Sequence, residues 1–197
     1  MSRRLPTQAR ALETRRRILD AAYALLGERE PDEIGVLAVA ERAGVPVGSI
    51  YRYYANLADI FRALANEAME TVDAPFEDML LSGASIEVLV EHAVGLLVAN
   101  DTPADLRLMW LMRITPELSD IWARSNARIE AVLASAIQAR NPRLTEQARA
   151  AAARLLVQVA TAGGETVLKC HDADARGHVQ RELVAMMLAY ARQLLTR

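Results

Sequence analysis

Apolar residues recur with a helical period along almost the whole chain. Ile18, Ala22, Leu25 and Leu26 fall at i, i+4, i+7 and i+8, one face of a helix over residues 14–28. Pro31-Asp32-Glu33 ends that run, and a short helix over 36–43 follows with Val36, Val39 and Ala40 on its inner side. Gly44-Val45-Pro46 makes a turn of about three residues, and a third short helix covers roughly 47–53. Asn56 is placed to cap a fourth helix over about 57–73, striped by Ile60, Leu64 and Ala68, with Pro75 as its breaker. The rest repeats one unit of cap, amphipathic run and breaker. Ser85, Thr102-Pro103, Thr115-Pro116 and Thr145 each open a helix, and a last one spans about 174–196. Alternating strand patterns, hairpin signals and fixed-period repeats are missing. The predicted class is all-α, with about nine helices. The predicted domains are an N-terminal three-helix domain with a basic arm (1–64) and a larger helical one (65–197).

Composition narrows the picture. Cys170 is the single cysteine, so neither an intrachain disulfide nor a C-x-x-C metal pattern is expected. His171 and His178 near Cys170, Asp172 and Asp174 lack a standard ligand spacing, and no metal or cofactor is expected. Neither a transmembrane run nor a signal peptide is read, so the expected location is the cytoplasm. Paired carboxylates, a nucleophile–base set and a phosphate loop are all missing, so the chain is not expected to be an enzyme. The net charge of −2 carries no nucleic-acid signal as a mean. Split at residue 64, ten arginines stand against eight acids in the first part, a charge of +2, and the remainder carries −4.

Two short helices joined by a glycine turn form a helix-turn-helix pattern, in which the second helix presents its N-terminal residues to base edges in a major groove. Three blocks carry a closer likeness: Arg17-Ile18-Leu19-Asp20-Ala21-Ala22, Val39-Ala40-Glu41-Arg42-Ala43-Gly44-Val45 and Gly48-Ser49-Ile50-Tyr51-Arg52-Tyr53-Tyr54. Across residues 14 to about 64 the sequence resembles the tetracycline-repressor (TetR) family of bacterial regulators. The resemblance implies that Tyr51 meets a phosphate, that Val47, Gly48, Ser49 and Arg52 face base edges, and that Tyr53 meets the backbone or a base. Arg52 can fork onto a guanine. Gly35, Leu37, Pro46 and Leu57 depart from the family, where capping or phosphate-directed side chains are common. Arg3, Arg4, Arg10, Arg15, Arg16 and Arg17 are expected to compensate as an unstructured basic arm, with Arg17 also a DNA contact. The run 15–17 reads equally as a solvated helix start, and Tyr54 reads as core.

For the larger domain the resemblance implies an effector cavity and a homodimer through the last two helices. Leu155, Val159, Gly163 and Val167, with Val179, Leu183, Met186, Met187 and Tyr190, form stripes suited to that dimer. They also suit an ordinary core. Gly163-Gly164 in mid-helix fits a close approach of backbones or a local kink. The candidate effector residues are His92, Leu96, Trp110, Arg113, Trp122, Asn126, Gln158 and Thr161, an apolar set with a few polar groups. The expected partners are therefore a double-stranded DNA operator, a small-molecule effector and a second copy of the chain, with no membrane. A helical ligand-binding or scaffold protein with weakened DNA binding is the other reading.

Overall fold

The computed structural model describes residues 6–99, 102–170 and 172–196; Arg3, Arg4 and His171 lie outside them. Among the described residues there are nine α-helices and no strand, as the patterning predicts. They are α1 (Pro6–Glu28), α2 (Val36–Ala43), α3 (Val47–Tyr51), α4 (Leu57–Leu81), α5 (Ile86–Ala99), α6 (Pro103–Ile114), α7 (Pro116–Arg140), α8 (Glu146–Leu168) and α9 (Ala173–Thr196), with a short 3₁₀ turn at Pro31–Glu33. Caps that the sequence marks are formed at Asn56, Thr102 and Thr145. Asn56 Oδ1 accepts from the Asp59 amide at 2.9 Å, capping α4, while Asp59 accepts from the Ala55 amide at 3.0 Å, one residue before the cap. Thr102 and Thr145 accept from the amides of Asp105 and Ala148 at the starts of α6 and α8.

Two expectations change. The stretch read as an unstructured arm enters α1 at Pro6, so Arg10, Arg15, Arg16 and Arg17 all ride on helix. Pro6 suits a first helical position, and the Ala-rich sequence after it favours helix. At the other site, α4 does not stop near residue 73 but runs through Pro75 to Leu81. Phe76 and Leu80 beyond the proline are buried, and that burial offsets the missing N–H.

The chain divides into two compact units, 1–68 with 102–122 and 69–101 with 123–197. The division places α6 with the N-terminal helices, which differs from a boundary at residue 64. Its cause is local. Arg107 of α6 donates to the Leu26 carbonyl at 2.7 Å and pairs with Glu30 at 2.7 Å, at the end of α1. Tyr23 donates to Asp105 at 2.8 Å. Ala104, Leu108, Leu111 and Met112 of α6 are buried beside the core formed by Ile18, Leu26, Val39, Ile50, Tyr54 and Ile60.

In the second unit α5, α8 and α9 pack together around Leu89, Val94, Leu156, Val167, Leu183 and Met187. The close approach signalled by Gly163 is between α8 and α9 of the same chain. A Cβ at Gly163 would lie 2.7 Å from Leu183 Cδ2 and 3.0 Å from its Cγ, and closer still to Cδ1. Asp73 on α4 is buried to 5% exposure and accepts from the Ser125 hydroxyl at 2.7 Å. Burial pushes its carboxyl above the ordinary value, against the pull of that hydrogen bond and of Arg128. Arg128 itself pairs with Glu77 one turn further along α4.

Two stability predictions follow from these contacts. Gly163→Ala overpacks the α8–α9 seam, a loss of about 1–3 kcal/mol against a gain in helix propensity of about 1 kcal/mol, so the melting temperature falls. In a Leu183→Ala background the same substitution becomes neutral or stabilising; a fall of equal size there refutes the seam. Asp73 binds its proton more tightly folded than unfolded. Its charged form therefore costs stability, and that cost grows as pH rises from the ordinary value of 3.8 to the raised folded one. Asp73→Asn should raise the melting temperature at neutral pH, with the gain vanishing in acid. Equal melting curves at neutral pH count against it.

Candidate nucleic-acid interface

The turn between α2 and α3 is built by hydrogen bonds at the end of α2. Gly44 takes φ +62°, a conformation in which a side chain is strained. Its amide donates to the Glu41 carbonyl at 3.1 Å and the Val45 amide to the Ala40 carbonyl at 3.0 Å. This is the Schellman arrangement, in which the chain reverses and satisfies two helix-end carbonyls. Arg17 of α1 takes two more: its Nη2 donates to the carbonyls of Ala43 at 2.5 Å and Gly44 at 2.9 Å. The Ser49 amide then bonds the Pro46 carbonyl at 2.8 Å, and α3 begins.

Below the turn, Val39, Ala40, Ala43 and Ile50 are buried. Tyr54 is buried as core, as its spacing predicts, with its hydroxyl lacking a partner among the described residues. Above it, Tyr51 is 57% exposed, Gly48 and Arg52 are exposed, and Val47, Ser49 and Tyr53 are half-buried. Six of the seven predicted DNA-facing residues thus share one short element and its exit. The seventh, Arg17, sits on α1 with its guanidinium directed to the turn. Leu37 is exposed at 59% on α2, and neither Gly35 nor Pro46 supplies a side-chain cap to its helix.

Many cations of this unit already have partners. Arg16 pairs with Asp20 at 2.8 Å and Glu67 at 3.2 Å, Arg42 with Glu28, and Arg62 with Asp120 at 3.1 Å. The guanidinium groups of Arg10, Arg15, Arg29 and Arg52 have no such partner among the described residues.

The predicted effector residues divide between the units. Trp110 and Arg113 are exposed on α6, and Trp122 ends the first unit. His92, Leu96, Asn126, Gln158 and Thr161 belong to the second. His92 and Leu96 line an open depression of about 420 Å³ with Val88, Glu91 and Gly95, one face of α5. The His92 Nε2 is buried without a hydrogen-bond partner among the described residues. Of the predicted dimer stripe, Val167, Leu183 and Met187 are buried in the unit's own core. Val159, Gly163, Val179 and Tyr190 are half-buried, while Leu155 and Met186 are each 54% exposed. The sequence reading missed the roles of Arg17 as a cap and Asp73 as a buried acid. Each meets a partner 26 or more residues away, a separation that no local spacing reports.

Known proteins place this architecture. Residues 18–64 match the family model of bacterial regulatory proteins of the tetR family, and residues 84–190 match a tetracycline repressor-like C-terminal domain. The transcriptional repressor KstR of Mycolicibacterium smegmatis is 33% identical over 83 residues, 42% of this chain and 41% of that protein. The match therefore spans less than half of that relative's length. A TetR-family transcriptional regulator from Mesorhizobium loti superposes with a TM-score of 0.71 at 18% identity, over 92% of this chain and 96% of that one. The multidrug binding protein EbrR, solved with imidazole, superposes with a TM-score of 0.64 at 24% identity, over 88% and 93%. No helix among the described residues is long and apolar enough to cross a membrane. With both of its parts matched by the family's models, the chain belongs to the TetR family of DNA-binding transcriptional regulators.

Proposed function

We propose that the chain is a ligand-responsive repressor of the cytoplasm, a homodimer released from a palindromic operator by a small-molecule effector. The carrying observation is the exposed face of Gly48, Tyr51 and Arg52, raised on a turn whose geometry is set by Gly44. A helix of this size fits a major groove, and a dimer reads two half-sites about 34–36 Å apart. Tyr51 supplies a phosphate contact and Arg52 the one long forked donor of the helix. Leu155 and Met186 on α8 and α9 are the members of the dimer stripe left exposed. For the effector, the α5 depression at His92 and Leu96 joins an apolar surface to a polar atom in want of a partner. The resolved complex of EbrR with imidazole belongs to a protein of the same fold. Release requires that the effector bind the DNA-free state more tightly than the DNA-bound one.

The second reading, a helical ligand-binding protein with weakened DNA binding, draws on the uncapped starts of α2 and α3 and on the number of arginines already paired. Salt separates the two, because phosphate neutralisation makes affinity fall steeply with salt. A gel shift on DNA flanking the chain's own gene should show a sharp complex at low salt; a folded dimer that shifts no such fragment sinks the repressor reading. Arg52→Ala should lose about 1–3 kcal/mol of discrimination at one base pair of each half-site, read by competition with operators changed at single positions. An unchanged preference would remove Arg52 from base reading. For the dimer, Leu155→Glu with Met186→Glu should yield a folded monomer in sedimentation; a dimer that survives both charges places its interface elsewhere.

A further inference from the structure

We infer that Arg17 is a positioning residue for the recognition helix, which it serves by closing the C-terminal cap of α2 and not by neutralising a phosphate. The inference rests on the DNA-binding reading above and assigns Arg17 a different part in it.

The helix end explains why a cation belongs there. The last carbonyls of α2 carry the negative end of its dipole and need donors. The Schellman turn uses the Gly44 and Val45 amides for Glu41 and Ala40; among the carbonyls beyond these are those of Ala43 and Gly44. One nitrogen of Arg17 reaches both. A guanidinium suits this task because its N–H groups diverge from a rigid plane and stay charged. The base of Arg17 is equally fixed. Its neighbours Ile18 and Leu19 are 0% and 3% exposed, so α1 cannot roll without unpacking the core. The result is a strut from α1 directly to the last residue of α2 and the glycine that opens the turn to α3. Through it, the direction of the recognition helix is referred to α1 and not only to the body of α2.

Gly44 shares the requirement. A Cβ there would lie 2.9 Å from the same Nη2, in addition to the strain of its positive φ. Glycine at 44 and arginine at 17 therefore act as one device, and substitutions at either should fail to add.

The test uses the full-length protein and an operator duplex, with affinity measured across a range of salt by fluorescence anisotropy. A phosphate contact and a strut differ in slope. Losing a phosphate contact flattens the dependence of log affinity on log salt by about 0.9 per contact. Losing the strut lowers affinity at every salt and leaves the slope unchanged. Arg17→Ala should weaken binding at least tenfold with the wild-type slope, and Arg17→Lys should recover part of it. Arg17→Ala combined with Gly44→Ala should be no worse than the poorer single variant. Hydrogen exchange of the Gly44 and Val45 amides, measured without DNA, should quicken in Arg17→Ala while amides of the α1 core keep their protection. Exchange that quickens across the whole unit marks a merely structural role and overturns the proposal. So does a flattened slope, an unchanged affinity, or turn amides that keep wild-type exchange. If the wild type itself binds no DNA, the repressor reading fails, and the exchange result still decides the role of Arg17.

Discussion

The reading surface depends on how the C-terminus of α2 satisfies its carbonyl groups within three residues of chain. The last carbonyls of a helix lack partners within the helix, and donors from the protein serve several of them here. Two amides that follow supply part of the answer, and they can do so only if the chain turns left-handed at Gly44. Two further acceptors, the carbonyls of Ala43 and Gly44, are met from α1, by Arg17. Once those bonds are made, Pro46 starts α3 in a single direction, and Ile50 seats it on the core. Exposure of Tyr51 and Arg52 follows from that seating, since residues adjacent to a buried helical position point away from it.

A similar economy holds the rest of each unit. In the first, Arg107 bridges the last turn of α1 and Glu30, while Tyr23 reaches the cap of α6 at Asp105. Polar bonds at helix ends thus fix which helices belong together, and apolar burial supplies the larger energy. In the second, Gly163 lets Leu183 seat against the α8 backbone, so α8 and α9 meet with little between them.

What was legible in the sequence is what repeats locally. Helical period, caps at Asn56, Thr102 and Thr145, and the glycine turn all depend on neighbours within four residues, and all were readable. So was the burial of Ile50 and Tyr54 against the exposure of Tyr51. The start of α1 and the length of α4 were not, because each is decided by a balance. Helix propensity extends α1 back to Pro6, and tertiary burial of Phe76 and Leu80 carries α4 across Pro75. The stripe on α8 and α9 shows a further limit. Periodicity identifies an apolar face, but it does not say whether Val167 and Leu183 meet their own chain or another; three-dimensional packing assigns both to the monomer's core. Arg17 and Asp73 were beyond reach for the same reason, since their partners are distant in sequence.

The charge of the reading unit can now be judged by where each arginine is committed. A formal +2 over residues 1–64 is modest, and it already counts the carboxylates that hold two of its arginines. Arg16 and Arg42 are paired with carboxylates, and Arg17 faces carbonyls. Exposed pairs of this kind contribute little to stability, yet each holds a guanidinium at a carboxylate where a phosphate would have to compete for it. A head of this composition gains less from non-specific attraction to DNA, which depends on such charges and weakens with salt. For the repressor proposed above, preference for an operator would then come from fit: a helix held at one angle, a tyrosine and an arginine exposed beside it, and a second copy at a fixed spacing. Rigidity of the turn is what makes that fit worth having, because a loosely held helix would spend its few contacts on its own ordering. The small charge and the tightly bonded turn are, on this argument, two sides of the same design.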